Sequence, residues 1–201
     1  MPDNDYTALL SLEPTQPIWE RVFTVAPLVV VGTMDLDGAA DLAPKHMAFP
    51  LGWDNYFGFV CAPSHGTYQN IVRDGSFTVT YPRPADIVRA SLTATPRCDG
   101  VKPIVDAIET FPARQARGVF IKGGHLFLEC ELERVVDGLG ANALVVGKIT
   151  AAHVHPDALR SDDRDDADLL LKSPVLAYLD PGRFAVIDKT QAFPFPEGMR
   201  R

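Results

Sequence analysis

Two basic side chains stand side by side in an otherwise apolar part of the chain. Lys45 and His46 lie within the segment Asp41–Ala48, which reads Asp-Leu-Ala-Pro-Lys-His-Met-Ala. Consecutive residues of a strand point to opposite faces of its sheet, so the backbone here is expected to bend or to border a cavity. Two cations in such a place would suit an anionic ligand.

A second polar cluster follows at the start of a predicted helix. Hydroxyl and backbone N–H groups at a helix start form a ready anion site, and the side chains here belong to Ser64, His65, Thr67 and Asn70. Aromatic residues lie nearby in the sequence, namely Phe49, Trp53, Tyr56 and Tyr68. A phosphate-bearing aromatic ligand would suit this mixture. The residue types alone nevertheless favour a simpler interpretation, with Ser64 capping the helix, Lys45 on the surface and the aromatic rings in the core.

Three further patterns are weaker candidates. His153 and His155 share one face of a predicted strand, but the spacing places no third ligand, so ordinary strand residues are favoured over a metal pair. The acidic run Ser161–Asp168 lacks the glycine and the terminal glutamate of a calcium loop and is expected to begin a helix. Gly138–Ala143 fits GxGxxA but lies between two strands, which is the wrong context for a dinucleotide site. The sequence has no P-loop or GxSxG motif, and we expect no metal.

Composition limits the class of protein. The 201 residues are 46% hydrophobic and 22% charged, with a formal net charge of -7, which predicts one globular domain spanning 1–201. An acidic surface argues against nucleic acid or an anionic membrane as the partner. Three widely spaced cysteines do not form a disulfide framework. The first residues lack the pattern of a signal peptide and no apolar stretch reaches the ~20 residues of a membrane span, so a cytoplasmic location is expected.

The first half of the chain is predicted to be mainly strands. Apolar and β-branched residues predict a buried strand over Val25–Met34, and Asp35–Gly38 is typical of a turn. Further strands are predicted over Ala39–Phe49 and Tyr56–Cys61. Because their connections are short, these three strands are expected to form an antiparallel meander. A helix follows over Ser64–Arg73.

The second half adds a predicted hairpin. Gly123–Gly124 is expected to join a strand over Val119–Lys122 to one over His125–Val135. In the latter, leucines alternate with glutamates, as in a strand with one exposed face. The proline-rich stretch 85–115 is expected to leave the barrel as loops and helical turns. The other predicted elements are strands over Ser76–Tyr81, Ala143–His155 and Arg183–Ile187 and a helical stretch at Asp86–Leu92. The fold class is therefore mainly β, a β-barrel with a few helices.

The order of these features resembles the flavin reductase-like, FMN-binding split barrels. That family has an apolar strand, a D-x-D-G turn and an N-L-A-P-x-S segment, which here are Val25–Met34, Asp35–Gly38 and Asp41–His46. Its T-x-x-N-I element corresponds to Thr67–Ile71. Its F-x-E-C-x-V and V-x-G-x-V segments correspond to Phe127–Leu132 and Val145–Ile149. The resemblance covers roughly residues 20–190 and rests on the order of the motifs rather than on any one of them.

The resemblance implies an antiparallel split barrel that binds flavin. The cofactor would be FMN, with FAD as the alternative, and NAD(P)H would be the reductant. Pro44 to Met47 would lie along the isoalloxazine ring and the ribityl chain, while the helix start would meet the phosphate. A homodimer acting on a small-molecule substrate is also implied. The site residues implied in this way are Thr33, Pro44, Lys45, His46, Met47, Ser64, Thr67 and Asn70.

Three positions depart from the family pattern. Asp41 and His46 stand where the family has Asn and Ser, and Asn142 stands where many active reductases have a histidine near the nicotinamide. Flavin binding is therefore better supported than NAD(P)H-dependent turnover. The alternatives are a non-catalytic FMN carrier or electron-transfer protein, and a metal-dependent enzyme that uses His153 and His155. No catalytic side chain is assigned, since the flavin itself would carry the chemistry.

Overall fold

Most of the chain is built from antiparallel strands. The structure, a computed structural model, describes residues 8–98 and 102–199. Its strands are β1 (Thr24–Pro27), β2 (Val29–Met34), β3 (Ala40–Lys45), β4 (Ala48–Pro50), β5 (Tyr56–Cys61), β6 (Ser76–Pro82), β7 (Thr110–Pro112), β8 (Val119–Ile121), β9 (Gly124–Leu139), β10 (Asn142–Val154), β11 (Val175–Asp180) and β12 (Arg183–Ile187). Its α-helices are α1 (Gly66–Asp74), α2 (Ile87–Leu92) and α3 (Asp166–Lys172). Short 3-10 helices lie at Ile18–Glu20, Pro84–Asp86 and Pro103–Ala107.

Seven strands form one curled sheet in the order β3-β2-β6-β9-β10-β5-β4. Its two edge strands, β3 and β4, are consecutive in the chain and are separated only by His46 and Met47. The chain therefore crosses from one edge of the sheet to the other within two residues, and the sheet curls into a half-barrel. The bend expected at Lys45 and His46 is confirmed.

This crossing corrects one prediction. The single strand predicted over Ala39–Phe49 was wrong, because it divides between β3 and β4 and pairs with a different neighbour on each side. The antiparallel pairings expected of the meander are present, since β2 pairs with β3 and β4 pairs with β5. The two pairs lie at opposite edges of the sheet, and β6 lies on the other side of β2.

The strand predicted over Val25–Met34 is likewise two strands, divided at the buried residue Leu28. β1 leaves the main sheet and pairs with β11, with Thr24 opposite Asp180. β12 completes this small three-stranded sheet. Its last strand was predicted, whereas β11 was not.

Consecutive residues of β2 serve two separate cores, which explains its continuous run of valines. Val29 and Val31 face the barrel interior, where the rings of Phe59 and Phe77 meet edge to face at 5.5 Å. Val30 faces a second core between the barrel, the small sheet and the 84–108 segment. Because side chains alternate along a strand, burial on both faces requires apolar residues at every position.

The predicted hairpin between β8 and β9 was wrong. β8 pairs with β7, while β9 pairs with β6 and β10. The glycine turn is present, but the chain leaves it into a different sheet. The expected exposed acidic face of β9 is also wrong at Glu129, whose side chain is fully buried. The loop before β8 covers this carboxylate and donates N–H groups from Arg114, Gln115 and Ala116 to it at 3.1, 2.6 and 2.8 Å.

The helices agree more closely with their predictions. α1 begins two residues later than expected, and α2 lies within the helical stretch predicted at Asp86–Leu92. The acidic run does begin a helix, because the carboxylate of Asp165 caps α3 by accepting N–H groups from Ala167 and Asp168. No helix in the described parts of the chain is long and apolar enough to cross a membrane.

Candidate flavin site

A polar cavity of about 490 Å³ lies between the end of β3, the start of α1 and the segment that follows α2. We call it the cationic cavity because three basic side chains, Lys45, Arg97 and Lys102, line it. Its other lining residues are Asp41, Ala43, Pro44, Ser64, His65, Gly66, Thr67, Thr93, Ala94, Thr95 and Pro96. β3 and α1 come from the two polar clusters that the sequence singled out, so the fold brings both clusters to one place.

The start of α1 lines this cavity with Ser64, His65, Gly66 and Thr67. The first N–H groups of any helix lack an intrahelical acceptor, and no side chain caps this one. Ser64 was considered as the cap, which was wrong, since the N-cap residue is His65. The helix N-terminus also carries a partial positive charge. An uncapped helix start beside basic residues is suited to bind an anion.

The basic groups of the cavity are held by neighbours at its wall. Lys45 Nζ lies 3.4 Å from Cys61 Sγ. Lys102 is largely buried and donates to the carbonyl of Leu42 at 2.6 Å, and burial lowers the pKa of its ammonium group. Burial, followed by repulsion from Lys45, also lowers the pKa of His65. The lowered pKa favours the neutral form of His65 at neutral pH.

Asp41 balances part of this charge from below the cavity. Its side chain is only 3% exposed, and its Oδ1 atom lies 2.9 Å from Arg97 Nη2 and 3.9 Å from Lys102 Nζ. The other oxygen accepts a hydrogen bond from Thr67 Oγ1 at 2.9 Å and one from Thr33 Oγ1 at 3.4 Å. A buried carboxylate is stable only when paired and hydrogen-bonded in this way.

Asp35 holds the other side of the Arg97 guanidinium. Two Arg97 nitrogens donate to its carboxylate at 2.7 and 2.8 Å, in a bidentate pair. Asn70 Nδ2 donates to Asp35 at 2.8 Å and to Thr33 Oγ1 at 3.1 Å. Burial alone would raise the pKa of Asp35, but the hydrogen bonds from Arg97 and Asn70 outweigh it and the pKa is lowered.

A second, apolar cavity of about 530 Å³ adjoins the first. The two cavities share Pro44 and Ala94. We call this second space the apolar cavity. The rest of its lining consists of Leu28, His46, Ile87, Val88, Ser91, Tyr178, Gly182, Arg183 and Phe184. A ligand that spans both would meet cations at one end and aliphatic and aromatic side chains at the other.

The residues implied from the sequence are divided among four places. Pro44, Lys45, Ser64 and Thr67 line the cationic cavity. His46 lies away from it, in the wall of the apolar cavity. Thr33 and Asn70 lie behind the cationic cavity in the network that supports Asp41 and Asp35, and Met47 is 44% exposed at the crossing between β3 and β4.

Sequence reasoning missed several residues that build the two cavities. Arg97 and Lys102 lie in the proline-rich stretch that was expected to leave the barrel as loops and helical turns, but no local pattern distinguishes them from other surface cations. Tyr178 and Asp180 were missed because β11 was missed. The apolar run Val175–Leu179 was the available signal for that strand.

The two histidines considered as metal ligands each lie beside one carboxylate. His153 Nε2 lies 3.5 Å from the buried Glu129, and His155 Nδ1 lies 2.8 Å from Asp157. Over residues 8–98 and 102–199, no three His, Cys, Asp or Glu side chains gather as metal ligands do.

A model of the flavin reductase-like domain family matches residues 22–185. The chain belongs to the flavin reductase-like family. This confirms the resemblance drawn from the motif order. Membership of this family implies a flavin as cofactor or substrate.

Three solved structures share the fold. Flavoredoxin from Methanosarcina acetivorans is 19% identical with a TM-score of 0.76, and the match covers 96% of this chain and 98% of that one. Nitrilotriacetate monooxygenase component B from Bacillus cereus is 16% identical with a TM-score of 0.79, covering 93% and 100%. An NADH:FAD oxidoreductase from Streptomyces globisporus is 15% identical with a TM-score of 0.65, covering 81% and 86%. The predicted split-barrel fold of the flavin reductase-like family is confirmed.

Proposed function

We propose that this protein binds FMN, with the phosphate in the cationic cavity and the isoalloxazine ring in the apolar cavity. The observation that carries the proposal is that Pro44 and Ala94 line both cavities. A flavin mononucleotide has a dianionic phosphate at one end and a flat, largely apolar ring at the other. The two cavities match these two ends, because one is lined by three basic side chains and the other mainly by apolar ones.

The charges of the cationic cavity fit a phosphate. Lys45, Arg97 and Lys102 outnumber the two carboxylates, Asp35 and Asp41, that face them. The start of α1 adds its partial charge and its N–H donors. Arg97 already forms ion pairs with both carboxylates. In the described parts of the chain, the only polar side-chain contact of Lys45 is with the thiol of Cys61. Lys45, the Ser64 hydroxyl and the helix start would therefore hold the phosphate.

This placement gives the flavin and the protein separate roles. The bound flavin would supply hydride and electron transfer. The chain would orient it, with Pro44 between ring and phosphate, and would exclude water from the ring through Leu28, Ile87 and Tyr178. Thr33, Thr67 and Asn70 would act as supports that keep Asp41 and Asp35 in place.

We propose further that the bound flavin is reduced by NAD(P)H and passes electrons to a small molecule. Family membership and the likeness to an NADH:FAD oxidoreductase support this proposal. FAD is the alternative cofactor for the same reason. The competing function is a non-catalytic FMN carrier, supported by the likeness to a flavoredoxin and by Asn142, which is exposed at the start of β10 where many reductases have a histidine.

We also propose that the protein forms a homodimer and is located in the cytoplasm. Three large apolar residues near the N-terminus, Trp19, Phe23 and Val25, are 61%, 63% and 71% exposed. Apolar groups this exposed would be covered in a dimer. The free cysteines agree with a reducing compartment.

Two steps test the function. Purified protein is first titrated with FMN while absorbance and flavin fluorescence are recorded, and saturable binding with a perturbed flavin spectrum is expected. NADH and NADPH are then added anaerobically. Bleaching of the flavin band favours the reductase, whereas stable yellow protein favours the carrier. Absence of FMN and FAD binding would overturn the proposal.

A further inference from the structure

His46 is held rigidly in the wall of the apolar cavity. Its ring stacks on Tyr178 with centroids 4.6 Å apart and an interplanar angle of 29°. Its Nε2 atom lies 3.5 Å from Asp180 Oδ1. Both partners belong to β11, so one strand of the small sheet fixes the plane of the imidazole and engages one of its nitrogens.

The other ring nitrogen of His46 is Nδ1. Within residues 8–98 and 102–199, the ring of His46 contacts Tyr178 and, through Nε2, Asp180, and its Nδ1 atom makes no hydrogen bond. If the proton of the neutral imidazole is on Nε2, the nitrogen that faces Asp180, Nδ1 is a lone-pair acceptor. His46 therefore presents an oriented acceptor at a largely apolar wall.

Few other side chains of the apolar cavity can accept a hydrogen bond. The Tyr178 hydroxyl already accepts the N–H of Gly182 at 3.0 Å. The Ser91 hydroxyl donates to the carbonyl of Val88 at 2.9 Å and keeps lone pairs that can accept, whereas Arg183 can only donate. A buried ligand N–H has to be paired. His46, Ser91 and Tyr178 are side chains of this wall that can accept it, and both hydroxyls already take part in a hydrogen bond.

We propose that Nδ1 of His46 accepts a hydrogen bond from N3–H of the flavin ring. This inference rests on the proposed function. Oxidised flavin has a single ring N–H, at N3, and that group lies on the polar edge of the ring. His46 would thus be a ring-positioning residue that selects the pyrimidine edge, and it has no part in binding the phosphate.

The test compares FMN with its N3-methyl derivative, which lacks the N–H. The proteins are the wild type, His46→Phe, which keeps a ring to stack on Tyr178, and His46→Gln, which keeps an acceptor. Titrations by fluorescence quenching are run in the same buffer at the same pH for all three proteins. Thermal unfolding of each variant reports whether the fold is kept.

N3-methylation is expected to weaken binding to the wild type by about five- to tenfold, the effect of one buried hydrogen bond. His46→Phe should bind FMN about five- to tenfold more weakly than the wild type and lose most of this discrimination. His46→Gln should keep part of it, and it answers the question if His46→Phe does not fold. Equal methylation penalties in the wild type and both variants would refute the role of His46 while leaving FMN binding intact. If the wild type binds no flavin, the proposed function fails instead.

Discussion

Arg97 Nη2 lies 2.9 Å from Oδ1 of Asp41, a carboxylate that stands where the flavin reductase-like family has an asparagine. The pair joins the segment after α2 to β3 across the floor of the cationic cavity. Arg97 also grips Asp35, so one guanidinium neutralises two carboxylates. The substitution of an acid into the motif is thus matched by a cation from a distant part of the chain.

Replacing Asp41 by asparagine should make the cavity more positive. Asp41→Asn keeps an oxygen that can accept from Thr67 but removes the charge that faces Arg97 and Lys102. We expect the free energy of unfolding to fall by about 1–2 kcal/mol, measured by urea denaturation. FMN should bind more tightly by a few-fold, measured by fluorescence titration. Weaker FMN binding in a folded variant would contradict the charge balance described here.

Glu129 should make stability depend on acidic pH. Burial alone would raise the pKa of its carboxyl group, but the N–H groups of Ala116, Gln115 and Arg114 outweigh it and the pKa is lowered below its ordinary 4.5. A carboxyl group with a depressed pKa in the folded state stabilises the fold above its unfolded pKa and loses that contribution as the pH falls through the folded value. The loss is therefore expected below about pH 4.5.

Glu129→Gln should remove this dependence. At neutral pH it is expected to lower the free energy of unfolding by about 1–3 kcal/mol, because an amide cannot accept all three N–H groups. Between neutral pH and pH 4 its stability should vary less than that of the wild type. Glu133→Gln, on the exposed part of the same strand, is the matched control and should behave as the wild type. Identical pH profiles for Glu129→Gln and the wild type would contradict the prediction.

Gly147 is predicted to have a packing role. A Cβ atom at this position would lie 2.5 Å from Phe77 Cζ and 3.1 Å from Cys130 Cβ, in the barrel core. Gly147→Ala should lower the free energy of unfolding by about 1–3 kcal/mol. Lys148→Ala, at the exposed neighbouring position, should change it by less than about 0.5 kcal/mol. Comparable stability of the two variants, measured by urea denaturation, would show that the core can accommodate the methyl group.

Local signals predicted much of the site. Two adjacent cations in an apolar stretch indicated a bend, and the chain bends there because His46 and Met47 join the two edges of the sheet. The polar residues at the start of α1 were found because hydroxyls, glycine and a helix start are all local features. The flanking strands were found from their apolar runs.

The rest depended on contacts between distant parts of the chain. Pairing of β2 with β6 joins partners such as Gly32 and Thr78, which are 46 positions apart in the sequence, and no turn signal encodes it. The leucine and glutamate alternation of β9 could not show that a loop covers Glu129. Which loop cation turns inward is likewise set by its partner, as Arg97 is by Asp35 and Asp41.

The central claim is that Lys45 and the start of α1 hold a flavin phosphate. It is tested most directly by comparing FMN with riboflavin, which has the same ring without the phosphate, on wild type, Lys45→Met and Lys122→Met. Lys122 is an exposed cation paired with Glu109 and lies outside both cavities, so it controls for loss of charge alone. Lys45→Met should weaken FMN binding about tenfold or more, the effect of a charged hydrogen bond, and change riboflavin binding by less than about twofold. An equal loss for both ligands, or no loss for FMN, would contradict a phosphate bound in the cationic cavity.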